Sequence, residues 1–254
     1  MVIGPHPQPA APRRYGLRTR DPAHAVLLVL PVFVVYQVGI LFTDGWRNGA
    51  DFITPFLLHL CRGDLTAYSF VQAGLVLTAL GYWLFSHPVD RLQPLDFVKV
   101  VSESTLWAFL LGPLVAESLM GLGFVPARIL PADTAGAPAL GVLDALVLSA
   151  GAGAYEELFF RVFLMTGGAL ALMRLRVRPW LAWSFALLGS SLVFSAFHYV
   201  PIGGEAWALW SFLFRVALGM LFGLLYVFRG FAVAVYTHTL YDILILVPTA
   251  LGLL

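Results

Sequence analysis

Three short clusters set ionisable side chains inside otherwise apolar stretches, and their residue types are those of hydrolytic chemistry. Glu156-Glu157-Leu158-Phe159-Phe160-Arg161 carries two adjacent carboxylates and an arginine. Phe194-Ser195-Ala196-Phe197-His198 ends on an imidazole, and His238-Thr239-Leu240-Tyr241-Asp242 pairs an imidazole with a carboxylate. Such groups at bilayer depth are costly unless paired or functional. Glu157 and Arg161 stand four apart with the acid first, the favourable order for a helical ion pair, and read as a structural bridge. Glu156 is rotated about 100° from Glu157 around the helix, and no basic residue stands three or four positions from it, which makes it the stronger candidate for chemistry. His238 and Asp242 share a helix face. The acid can fix the histidine tautomer, the two can share a cation, or they can form a polar helix contact. His198 alone reads equally well as a packing histidine, and Phe194 one turn before it as packing.

Together, one glutamate, two histidines and one aspartate on three segments can converge in the core of a bundle. Two histidines and a carboxylate form a known catalytic zinc set that leaves a position for water. Glu156, His198 and His238 are the expected ligands of one divalent metal ion, zinc foremost, if a metal is used. Such an ion would bring the pKa of its water to about 7 and polarise a carbonyl. With no metal, Glu156 is the candidate general base and His238 the candidate oxyanion donor.

The elements that must position these residues are membrane helices. The 254 residues are 60% hydrophobic and 11% charged, against about 25% charged for a soluble domain. Residues 24–42 and 65–85 contain no formal charge, and a span needs roughly 20 apolar residues. Seven principal spans are expected, at about 24–43, 65–86, 100–124, 139–172, 180–200, 206–228 and 231–253. The stretch 139–172 is long for one crossing. Gly151 and Gly153 weaken a helix there, so a break and an eighth span are an alternative. Phe52–Cys61 is too short to cross and reads as interfacial or re-entrant. The fold class is an all-α polytopic bundle of seven to eight helices around a polar cavity. Residues 1–22 form a Pro/Arg-rich tail, expected to be disordered and cytoplasmic rather than a cleavable signal, and 23–254 a single transmembrane domain. With the N-terminus inside, ten Lys/Arg lie on cytoplasmic segments (Arg13, Arg14, Arg18, Arg20, Arg91, Lys99, Arg174, Arg176, Arg178 and Arg229). Arg47, Arg62 and Arg128 lie outside. The positive-inside rule therefore favours this orientation. The net charge of +1 and the lack of a basic tract argue for no nucleic-acid partner. Cys61, the single cysteine, cannot form an internal disulfide.

The motifs EELFFR (156–161), FSAFH (194–198) and HTLYD (238–242) resemble, in order and on successive spans, those of the CPBP intramembrane proteases. That family includes type II CAAX prenyl endopeptidases and bacteriocin-processing or immunity proteins. The resemblance covers about 139–245; residues 1–135 match only as generic membrane helices. It implies about eight helices around a water-accessible conical cavity, with Glu156 and His198 activating water. It implies that His238 and Asp242 orient the substrate or stabilise the oxyanion, with Glu157 and Arg161 shaping the site. One position departs: the prenyl-protease branch carries Asn where this chain has Asp242. An ionised Asp accepts hydrogen bonds and donates none, which suits a metal ligand or a His-orienting role and weakens an assignment to prenylated substrates.

The expected activity is an intramembrane endopeptidase acting on a membrane-anchored protein or hydrophobic peptide, in a bacterial or archaeal inner membrane. Alternatives are a non-catalytic scaffold or immunity factor of the same family and a small proton-coupled transporter; the sequence leaves the oligomeric state open. Arg215, in the sixth span, is expected to pair with Glu117 or snorkel, with a substrate carboxylate as its alternative partner. Lys99 and Glu103 read as a surface pair.

Overall fold

The computed structural model describes residues 15–43, 50–51, 53–86, 92–125, 140–199 and 206–253. Every element among them is helical: α1 (Tyr15–Arg18), α2 (Pro22–Gly39), α3 (Ile53–Leu60), α4 (Leu65–Ser86), α5 (Pro94–Gly121), α6 (142–174), α7 (Pro179–Phe197), α8 (Leu209–Arg229) and α9 (Phe231–Ala250). The long helices start where the chemistry of helix ends dictates. Prolines stand at the first positions of α2, α5 and α7, where a missing N–H costs nothing. The Asp21 carboxylate accepts from the Ala23 and His24 amides at the start of α2, and Asp96 accepts from the Gln93 amide at the start of α5. Both satisfy orphan groups of the first turn.

Helices α2, α4, α5, α7, α8 and α9 are each long and apolar enough to cross a membrane. Many of their large apolar side chains, such as Phe70, Leu77, Phe109 and Phe228, face outward, as lipid-facing surfaces do. The protein is an integral membrane helix bundle. Its centre is α9, which packs on α2, α5, α6 and α8 and buries Ala232, Val233, Ala234 and Val235 completely.

The largest departure from the sequence expectation is α6. No break occurs at Gly151–Gly153. An α-helical start (Val142–Gly151) continues through π-wound turns at Ala152–Glu156 and Leu158–Thr166 into an α-helical end (Gly167–Arg174), with helical backbone angles at each junction. The eighth span is therefore not formed among the described residues. Gly153 serves a close approach: a Cβ there would lie 1.9 Å from Thr239 Oγ1 and 2.6 Å from the Val235 carbonyl oxygen, so α6 and α9 meet nearly backbone to backbone. Small residues at helix contacts permit this in membranes.

Other boundaries also move. The third span begins at Pro94 rather than 100. Of the tail expected to be disordered over 1–22, residues 1–14 lie outside the described residues. From Tyr15 onward the chain is helical and fastened, with Arg18 donating to Asp96 at 2.7 Å in a buried ion pair. Glu103 is not a surface partner of Lys99. It accepts from Arg229, at 2.8 Å through Nη2, and from the Tyr15 hydroxyl at 2.9 Å. These contacts tie α1, α5 and α8 together at one end of the bundle.

Candidate active site

Glu156, on the π-wound part of α6, faces the bundle interior with α7 and α9. A π-turn widens the helix by one residue and is frequent at functional sites. Glu157 is completely buried and turned toward α9, where its Oε1 lies 2.8 Å from His238 Nδ1. A carboxylate can only accept, so Nδ1 carries a proton. Glu157 Oε2 accepts from Arg161 Nε at 3.1 Å, as the four-residue spacing predicts. Arg161 is also fully buried. Its terminal nitrogens find no hydrogen-bond partner among the described residues, and its guanidinium lies 5.2 Å from the centre of the Phe194 ring, a cation–π contact.

The other nitrogen of His238, Nε2, faces Glu156 Oε2 at 3.9 Å and Asp242 Oδ2 at 3.8 Å. One imidazole thus stands between adjacent carboxylates: Glu157 holds Nδ1, and Glu156 shares the space before Nε2. The residue that fixes the tautomer is Glu157 on a neighbouring helix, not Asp242 on the same helix. Phe222 stacks under the ring at 4.7 Å and 16°, and Phe194 meets it edge-on at 5.9 Å. These aromatic walls fix the plane of the imidazole.

His198 caps the end of α7, with Nδ1 2.9 Å from the Phe194 carbonyl. A carbonyl oxygen accepts only, so the proton is on Nδ1. The neutral ring then offers its Nε2 lone pair outward.

Glu156, His198, His238 and Asp242 all line one cavity of about 410 Å³ with Phe194, Phe222 and Tyr241. Helix α7 runs uninterrupted from Pro179 to Phe197. Arg215 also lines the cavity, its Nη1 donating to the Tyr199 hydroxyl at 3.1 Å while the guanidinium covers that ring. Glu117, its expected partner, is exposed on α5. The expected metal ligands Glu156, His198 and His238 share the cavity wall. Among the described residues, however, no three His, Cys, Asp or Glu side chains are grouped as a metal ion requires.

Two features of the site had no signal in the sequence. Phe222 is one apolar residue in an apolar helix, and nothing marks it as the floor beneath His238. The Glu157–His238 bond joins residues 81 apart, whereas helical spacing offers Glu157 only Arg161.

No curated protein and no solved structure matches the chain. Residues 138–244 match the family model described as type II CAAX prenyl endopeptidase Rce1-like. All three motifs fall inside that segment, so the part of the chain that bears the cavity residues is similar to the CAAX-type intramembrane proteases.

Proposed function

We propose that this membrane protease cleaves a membrane-anchored protein or hydrophobic peptide in the cavity between α6, α7, α8 and α9, using water activated by Glu156. The observation that carries the reading is the meeting of Glu156, His198, His238 and Asp242, from three helices, on one cavity wall. A water between Glu156 and His198 gives a proton to the Glu156 carboxylate, while the His198 Nε2 lone pair orients its other hydrogen. The hydroxyl oxygen adds to the scissile carbonyl carbon. His238, with Nδ1–H donated to Glu157, presents Nε2–H to the developing oxyanion when it is doubly protonated. A preorganised donor of this kind is worth about 100-fold or more in rate. Collapse of the adduct expels the amine, which takes the proton from Glu156. Asp242 accepts from Nε2–H or from a substrate amide. Arg215 offers its guanidinium to a carboxylate on the bound peptide, the pairing that suits its planar donors.

The test is Glu156→Gln, which keeps the shape and removes the base. In proteoliposomes the native chain should cleave hydrophobic tail peptides, and the variant should insert and melt like the native chain but cleave nothing. Normal processing by Glu156→Gln ends the proposal.

A further inference from the structure

We infer that the lipid-facing side of α6 and the turn that joins it to α7 hold one anionic phospholipid, its phosphate on Arg174, Arg176 and Arg178 and an acyl chain in a groove along α6. The site is separate from the cavity, and the inference does not rest on the peptidase reading. Two observations carry it.

The first is a cluster of arginines with no acid to meet. Residues 158–204, which include the end of α6, the turn and all of α7, contain no Asp or Glu. Arg174, Arg176 and Arg178 are exposed, and among the described residues their side chains enter no hydrogen bond or ion pair. The turn that carries them has a fixed shape. The Arg176 amide donates to the Met173 carbonyl at 2.9 Å and the Val177 amide to the Leu172 carbonyl at 3.1 Å, the paired bonds of a Schellman helix end. Arg176 takes the left-handed position, with φ 65°, that glycine usually fills there. Arg178 is then the N-cap of α7. Because α7 is long and apolar enough to cross a membrane, its start and this turn lie at a bilayer boundary. Leu175 and Trp180 stand among the arginines, 76% and 63% exposed. Exposed apolar and aromatic side chains beside basic ones suit a headgroup layer.

The second is a groove of about 940 Å³ along α6 from Tyr155 to Ala171, bordered by Ala50 and Ile53. Leu158, Phe159, Val162, Phe163 and Leu170 make it apolar, and no charged residue lines it. Gly167 deepens it, since a Cβ there would meet no atom within 4 Å. Gly167, Ala171 and Arg174 recur at helical spacing on one face, so the stripe that floors the groove runs onto the arginine turn. At about 1.5 Å per residue, the groove is roughly 20 Å long. That is more than one leaflet of a bilayer whose apolar core is about 30 Å thick, so it accepts an acyl chain of ordinary length.

Charge selects the occupant. A zwitterionic headgroup brings its own cation to the phosphate, and an uncharged lipid leaves three guanidiniums unmet. A phosphodiester of net negative charge meets their planar donors directly, while its chain lies in the groove.

The test uses the purified full-length chain in a neutral detergent, titrated with phosphatidylglycerol and with phosphatidylcholine of the same acyl chains, and binding is read by native mass spectrometry and by the rise in Tm. One phosphatidylglycerol per chain should be retained, at least tenfold more tightly than phosphatidylcholine. The triple variant Arg174→Gln, Arg176→Gln, Arg178→Gln should lose that preference. Gly167→Leu leaves the charge unchanged and fills the groove, and it should weaken phosphatidylglycerol tenfold or more. Inorganic phosphate at the same concentration should displace nothing. Equal affinity of the native chain for the two lipids overturns the inference, and that comparison stands even if a variant fails to fold. Undiminished binding by the triple variant overturns it as well. Undiminished binding by Gly167→Leu shows a charged surface without a seated chain, and displacement by inorganic phosphate shows a free-anion site; either result overturns the phospholipid.

Discussion

Substituting Gly153 by alanine separates two opposite accounts of the same residue. If the glycine only weakens α6, alanine should stabilise the protein by about 0.5–1 kcal/mol, the usual gain in a helix interior. The structure requires the reverse. The new Cβ would lie 1.9 Å from Thr239 Oγ1 and 2.6 Å from the Val235 carbonyl oxygen. Thr239 can rotate its hydroxyl away, but the Val235 carbonyl is backbone. Ordinary contact begins at 3.4 Å, so α9 must retreat from α6 by roughly 0.8 Å at that level. Overpacking of this size costs about 1–3 kcal/mol. Residue 153 is less than one turn from Glu156, and Thr239 is next to His238, so the shift opens the site itself. A displacement near 1 Å can cost on the order of 100-fold in rate. Gly153→Ala should therefore lower both Tm in detergent and kcat/KM for a tail peptide. Adding Thr239→Ala should recover only part of either loss, because the carbonyl clash remains. A Gly153→Ala protein with native activity and a raised Tm would falsify the close-approach argument.

Three further outcomes follow from the same geometry. Glu157→Ala leaves Arg161 and His238 Nδ1–H without their buried acceptor, a loss of about 3–5 kcal/mol; Glu157→Ala with Arg161→Met should melt well above Glu157→Ala alone, and equal melting refutes the pairing. Asp242→Asn should retain cleavage, since an amide oxygen still accepts, whereas Asp242→Ala should lose about 100-fold; loss in both would point to a requirement for the negative charge. Arg215→Gln should raise KM for a peptide with a free terminal carboxylate about tenfold or more, with little effect on the same peptide amidated; equal changes for both would remove Arg215 from carboxylate recognition.

The membrane helices and the polar side chains that line the cavity were legible in the sequence because bilayer physics makes charge conspicuous. In an apolar span, Glu156, His198, His238 and Asp242 stand out by type alone, and the Glu157–Arg161 bridge follows from a spacing of four. What spacing cannot reach is contact between helices. It offered His238 an acid on its own helix, Asp242, while the bond is made across the bundle by Glu157. It read two glycines as a weak point, although the chemistry of glycine supports both a bend and a close approach, and only the neighbour, here Thr239, decides between them. It paired Glu103 with Lys99 by proximity in sequence, while Arg229 and Tyr15 reach it from α8 and α1. It sent Arg215 to Glu117 or to the interface, because nothing in one sequence says which face of a helix lines a cavity.

The helices outside residues 138–244 are not mere scaffolding for that segment, and the argument starts one residue before Glu156. Tyr155 is buried, and its hydroxyl accepts from the Gln37 amide of α2. Gln37 accepts in turn from Tyr68 of α4, donates to Thr54 of α3 at 3.2 Å, and Gln72 donates to Tyr68 at 2.8 Å. Asp51 accepts from Tyr36 and from the Thr54 amide, both at 2.9 Å. A buried polar network of this kind resists rearrangement because breaking any member leaves desolvated partners. It grips α6 at Tyr155, in the π-wound turn that carries Glu156. Rotation of that turn would carry Glu156 away from His238 Nε2, so α2, α3 and α4 hold the rotational setting of Glu156, although no described side chain of theirs lines the cavity.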